Sequence, residues 1–158
     1  MSKTHDFEIF QETINHCRWK KTLKAKVLSL DELFINNITK FKNKTFDDIF
    51  INIFNLTKPI YGIGLLCVYD ISSAICRYNN INITKIYIIG NGPKRAIKLL
   101  NIKYKLQKIN KDITLKYVEI NEVLNVFKLN NYDIENIKNK NDGDEFESFL
   151  CNWQKNII

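Results

Sequence analysis

Apolar positions recur at helical spacing through the first third of the chain. Phe10, Ile14 and Cys17 fall at i, i+4 and i+7, and the cations of "RWKK" close that run where a helix C-terminus favours them. "SLDELFINNITKF" sets Glu32 three residues after Ser29, a capping-box spacing, with Leu33, Phe34, Ile38 and Phe41 along one face. "TFDDIFINIFNLTK" repeats the device with Thr45 and Asp48 and commits Phe46, Ile49, Phe50, Ile53 and Phe54 to a core. After Pro59 and two glycines, Val68, Ile71, Ile75 and Tyr78 predict a further helix.

The pattern then changes. "KIYIIG" suits either a buried strand or a short helix before a glycine turn. From Pro93 the reading is a helix, with Ala96, Leu99 and Leu100 inward and Lys94, Lys98 and Asn101 outward. "KYKLQKINKD" reads as a solvated basic loop and "TLKYVEI" alternates as a strand over 114–120. "NEVLNVFKL" predicts a short helix or turn, and "NNYDIENIKNKNDGD" a flexible loop. A closing helix over 144–155 starts from the capping spacing of Asp144 and Glu147 and carries Phe146, Phe149, Leu150 and Trp153 as a stripe. The expected fold is mainly α with two short strands. It forms one domain over 1–158: N-terminal helices over 1–56, a paired-glycine core over 57–102 and a C-terminal extension over 103–158. The alternative is α/β, with a βαβ unit over 85–120.

Bulk properties narrow the chemistry. Apolar content of 45% with 12% aromatics belongs to a folded chain. No apolar run is long enough to span a bilayer, and "MSKTHDFEIF" has no apolar signal region, so neither a membrane nor a secretory leader is expected. Cys17, Cys67, Cys76 and Cys151 are scattered without a C-x-x-C pair, which points to a reducing, cytoplasmic setting. With only His5 and His16 beside them, no metal site and no cofactor is expected. The net charge of +7, from 24 cations against 17 acids, suggests a polyanionic partner. Only Arg18, Arg77 and Arg95 are arginines, and the abundance of Ile, Asn and Lys is also what an AT-rich genome produces. The position of each cation therefore weighs more than the sum.

Gly62-Ile63-Gly64 and Gly90-Asn91-Gly92 lie 28 positions apart, and each leads straight into an amphipathic run. The second, followed by Pro93, Lys94, Arg95 and Ala96, resembles the helix-hairpin-helix motif of DNA-binding proteins, and the pair resembles the tandem form of that module over 57–102. Asn91 stands where the motif has an apolar anchor, and Val68 where it has a small residue. The catalytic Asp of glycosylases with this motif has no counterpart. The resemblance implies sequence-independent binding of nucleic acid, duplex DNA above all. Glycine permits a tight turn and close approach, and a helix start directs unpaired N–H groups at an anion. Gly62, Gly64, Gly90, Asn91, Gly92, Lys94, Arg95 and Lys98 are the candidate phosphate contacts, with a salt-sensitive affinity. Under the βαβ alternative the same turn would hold a phosphorylated small molecule.

The chain also looks like a set of small proteins of unassigned activity. They share Gly-apolar-Gly, Tyr-Asp, Arg, apolar-Tyr-apolar-Gly and a closing Phe-Leu-Cys, here Gly62 to Gly64, Tyr69-Asp70, Arg77, "IYIIG" and "EFESFLC". That resemblance groups Tyr69, Asp70, Arg77 and Glu147 in one ensemble. Asp70 among apolar neighbours is either an ion-paired carboxylate, with Arg77 two turns on or with a cation of the second glycine hairpin, or a general base with Tyr69 as donor. A small nucleotide- or phosphate-binding enzyme using Tyr69, Asp70 and Arg77 is thus one alternative. A protein-interaction module with purely structural glycines is another.

Overall fold

The computed structural model describes residues 41–59 and 63–157. The expected helices before Phe41 lie outside the described residues. Two compact units divide between Ile81 and Asn82. The boundary runs through the expected paired-glycine core, so the two Gly-x-Gly segments belong to different units.

In the first unit, α1 (Phe46–Thr57) packs against α2 (Leu65–Tyr78). The expected cap is present: the Thr45 side chain accepts from the Asp48 amide at 3.3 Å. Phe46, Ile49, Phe50 and Ile53 are buried as the spacing predicts, and the Phe46 ring meets those of Phe50 at 5.7 Å and Tyr69 at 5.8 Å. Buried hydroxyls are satisfied within their own helices, Thr57 donating to the Ile53 carbonyl and Ser72 to that of Val68, each at 2.7 Å.

The second unit is mixed. Its elements are β1 (Lys85–Tyr87), α3 (Asn91–Leu99), β2 (Lys105–Lys108), β3 (Thr114–Glu119), α4 (Ile120–Leu129) and α5 (Gly143–Trp153), with a short 3₁₀ turn at Gln154–Asn156. The sheet order is β1-β3-β2, and both neighbouring pairs are antiparallel, with Ile86 opposite Val118 and Leu106 opposite Lys116. β1 and β2 therefore point the same way, with α3 between them in the chain and β3 inserted between them in the sheet, a split β–α–β arrangement. Helix predominates beside this small sheet, so the fold is mixed α and β rather than purely α, and the strand option for "KIYIIG" is the one realised. The parallel βαβ alternative is corrected on one point. "KLQK" is not loop but strand, so the chain turns back once more and β3 meets β1 head to tail. As an edge strand with exposed residues on both faces, β2 carries no alternation for a sequence reading to find.

One face of the sheet supplies Ile86, Ile88 and Val118 to a core completed by Ala96 and Ile97 of α3, Phe127 of α4 and Phe146 and Leu150 of α5. Leu99, expected inward, is 45% exposed, because Ile97 takes the inward position on this nine-residue helix. α5 begins one residue before its expected start. Asp142, rather than Asp144, is the cap, and its Oδ1 accepts from the amides of Asp144 at 3.4 Å and Ile83 at 2.9 Å. The Gly143 amide donates to the Ile83 carbonyl at 2.6 Å, so this helix start is fastened to the lead-in of β1.

Three helices end the same way. Asn80, Asn101 and Asn131 have φ of 56°, 56° and 55°, just past the ends of α2, α3 and α4. Each is followed by an amide that reaches back five residues, Ile81 to Cys76, Ile102 to Ile97 and Tyr132 to Phe127, at 2.8–2.9 Å. These are Schellman turns with asparagine in the left-handed position usually given to glycine. The segment after α4, expected to be flexible, is organised by the turn at Asn131, by tighter turns that close from the Ile137 amide to the Ile134 carbonyl and from the Asp142 amide to the Asn139 carbonyl, and by the buried Ile137.

Candidate polyanion-binding site

Lys94 and Lys98 stand four residues apart and so share one face of α3. The turn at Asn101 then swings the chain back along that face, bringing Lys103 and Tyr104 opposite. β3 contributes Lys116, which lies on the same face of its strand as the core residue Val118, two positions on. The Lys116 carbonyl accepts from the Ile88 amide at 2.8 Å, holding that lysine beside the end of β1. Together these residues line a groove of about 600 Å³, floored by Ile88, Ile97 and Ile102.

The groove has one sign of charge. Four lysines line it and no carboxylate does. Tyr104 is 48% exposed, with the Lys116 ammonium 4.7 Å from its ring centroid. Among the described residues no hydrogen bond or ion pair ties the ammonium groups of Lys94, Lys98 or Lys103. Other lysines of the sheet are engaged. Lys105 pairs with Glu122 at 3.1 Å, whose hydrogen bond and charge hold the Lys105 pKa above its ordinary value. Lys85 donates to Gln107 at 3.0 Å and lies 4.4 Å from the Tyr117 ring centroid.

Of the residues singled out in the sequence, Lys94 and Lys98 line the groove. Arg95 does not. Its Nη1 donates to the Gln154 carbonyl at 2.9 Å and to Gln154 Oε1 at 2.7 Å, and its Nη2 to the Ile157 carbonyl at 3.3 Å. It is a clamp on the C-terminal segment. Gly90 caps α3 through its carbonyl, which accepts from the Lys94 amide at 3.3 Å, and Asn91 beside it is exposed. Gly92 makes a close approach, but to its own fold: a Cβ there would lie 2.6 Å from Cys151 Sγ. A strand rather than a helix enters this turn, so the second Gly-x-Gly joins β1 to α3 and not two helices.

Gly62 lies outside the described residues. Gly64 caps α2 with φ of −96° and open space where a Cβ would be, and Leu65 and Leu66 after it are exposed apolar residues without a cation. Tyr69 is buried at 2% exposure against Phe46. Asp70 is half-buried and Arg77 exposed in the last turn of the same helix. Cys67 and Cys76 are buried in α2, and Cys151 is half-buried in α5. Among the described residues no cluster of His, Cys, Asp or Glu could hold a metal ion, and no helix is long and apolar enough to cross a membrane.

Sequence reasoning missed Lys103, Tyr104 and Lys116. A signal existed for Lys116, since it shares the alternation of an apolar strand face yet is charged. None existed for Lys103 and Tyr104, whose place depends on a turn made by asparagine. No family model, curated protein or solved structure matches the chain.

Proposed function

We propose that the groove beside α3 binds nucleic acid through its phosphates, without regard to sequence. The observation that carries this reading is the lining itself: four lysines, an exposed tyrosine and no acid, over an apolar floor. Ammonium groups hold backbone phosphates, contacts that carry no sequence information, and an exposed aromatic ring offers any base a stacking surface. The ring favours a single strand, because bases in a duplex are already stacked. Arg95 takes no part in this reading, and the amides after Gly90 are secondary to the lysines.

Fluorescence anisotropy of a labelled oligothymidylate against the full chain tests it. Affinity should fall with salt at a log–log slope of about −2 to −3, the value for three or four phosphates on a single strand. Lys98→Glu with Lys103→Glu should lower affinity at least tenfold and flatten the slope by about 1 or more. Tyr104→Ala should cost about five- to a hundredfold with the slope unchanged. Affinity indifferent to the double lysine change would overturn the proposal.

A second reading rests on the size of the groove. A volume near 600 Å³ also suits one nucleotide or another small phosphorylated ligand. Mononucleotide that competes with the oligomer at equal molar concentration would favour it.

A further inference from the structure

The second unit carries another cavity of opposite character. Phe127, fully buried, is ringed by Tyr132, Phe149 and Trp153, with centroids 5.4–5.5 Å away and all three edge-on. The exposed sides of those three rings line a cavity of about 510 Å³. Its rim holds two carboxylates, Asp133 and Glu145, with the side-chain amides of Asn136 and Asn152, and no lysine or arginine. In a chain with 24 cations and 17 acids, a polyanion seeking the basic groove would be repelled here.

We infer that this aromatic cavity binds a compact organic cation of the alkylammonium class. Aromatic faces carry negative potential and attract a cation, tryptophan most strongly, and two carboxylates add to that field. Geometry favours a rounded head group over a flat one. Tyr132 and Trp153 stand 5.8 Å apart and are inclined at 52°, so they form a corner rather than a platform. A sugar or base could stack on only one of them. A metal ion is a poor fit, since no group of three His, Cys, Asp or Glu is present among the described residues. The site is also built before any ligand arrives. The Tyr132 amide is held by the Phe127 carbonyl at 2.9 Å, and Asp133 Oδ1 accepts from the Glu135 amide at 2.9 Å.

The inference does not depend on the proposed nucleic-acid groove, and its test reads a different signal. In a Trp19→Phe background Trp153 is the single tryptophan, and its fluorescence reports the cavity. Choline and its neutral carbon isostere, 3,3-dimethylbutan-1-ol, are titrated against the full chain. Choline should give a saturable change, with the isostere at least about fivefold weaker. Glu145→Gln should weaken choline about three- to tenfold with an unchanged melting temperature, and Tyr132→Leu should weaken it similarly while leaving the fluorophore in place. A trimethyllysine peptide that binds more tightly than choline assigns the head group to a protein partner; one that binds no more tightly assigns it to a free amine. Equal affinity for choline and the isostere, no saturable response to choline, or equal displacement of choline by glucose would each overturn the inference.

Discussion

Gly92 at the start of α3 lies directly against Cys151 of α5, with room for no more than a hydrogen where a Cβ would be. A Cβ at that position would be 2.6 Å from Cys151 Sγ and 3.3 Å from both Cα and Cβ of the cysteine. This glycine permits a helix to pack on a helix, and the interface it makes fixes α3, and with it Lys94 and Lys98, relative to the rest of the unit.

Gly92→Ala should therefore destabilise the chain by about 1–3 kcal/mol, the range for overpacking a well-filled contact. Cys151→Ala removes the sulfur, the nearest of the three atoms, so the same glycine change should cost less in that background. Chemical denaturation of the four chains of the cycle measures the coupling. Additive costs would show that the two residues do not press on each other.

Arg95 and Lys98 should separate stability from binding. Arg95→Gln loses two part-buried charge-assisted hydrogen bonds to Gln154 and an exposed one to Ile157, worth about 1.5–3 kcal/mol together. Lys98→Gln loses no hydrogen bond within the described residues. Thermal melts should show a lower midpoint for the first variant and little change for the second. Oligonucleotide affinity should fall for the second at protein concentrations where both are folded.

Gly143→Ala should be the most damaging single-methyl addition in the second unit. The added Cβ would run into the Lys85 carbonyl, which is backbone of β1 itself and cannot swing aside as a side chain can. Relief requires α5 to move away from the strand, breaking the 2.6 Å hydrogen bond from the Gly143 amide to the Ile83 carbonyl. A loss of about 4 kcal/mol or more is expected, at the extreme of single substitutions. A melting temperature within a few degrees of the parent chain would contradict this packing.

The three left-handed asparagines that follow α2, α3 and α4 give a graded series. Asn101→Gly should be neutral or mildly stabilising at φ of 56°, and Asn101→Ala should cost about 1 kcal/mol, since alanine has neither glycine's freedom nor asparagine's tolerance of that region. Asn80 and Asn131 should behave alike. Asn101→Ala should also weaken oligonucleotide binding, because the turn places Lys103 and Tyr104 across from α3; urea titration and anisotropy on the same variants check both expectations.

Elements with long, regular spacing were legible from residue types alone. α1 and its Thr45 cap and the stripe of α5 appear where the pattern puts them, since each buries one helical face whatever it packs against. β3 lies where its residue types put a strand, although its buried Leu115 and Val118 are on opposite faces. β2 was not legible, because both its faces are exposed and only hydrogen bonds to β3 make it a strand. The candidate site divides similarly. Lys94 and Lys98 were identified beside the glycine turn, whereas the contacts that Arg95 and Gly92 make within the fold were not legible, since Gln154 and Cys151 lie 59 residues further along the chain.

The sequence by itself determined a basic chain with buried helical faces, a glycine turn leading into a helix and two of the lysines beside it. Tertiary structure alone decided which cations face solvent and which hold the fold together. Local periodicity records only whether a position is buried, while the partner of a side chain is set by pairing and turn geometry between residues remote in sequence. One asparagine at a left-handed turn, unremarkable in the sequence, places Lys103 and Tyr104 opposite Lys98 and so makes a groove out of a helix face.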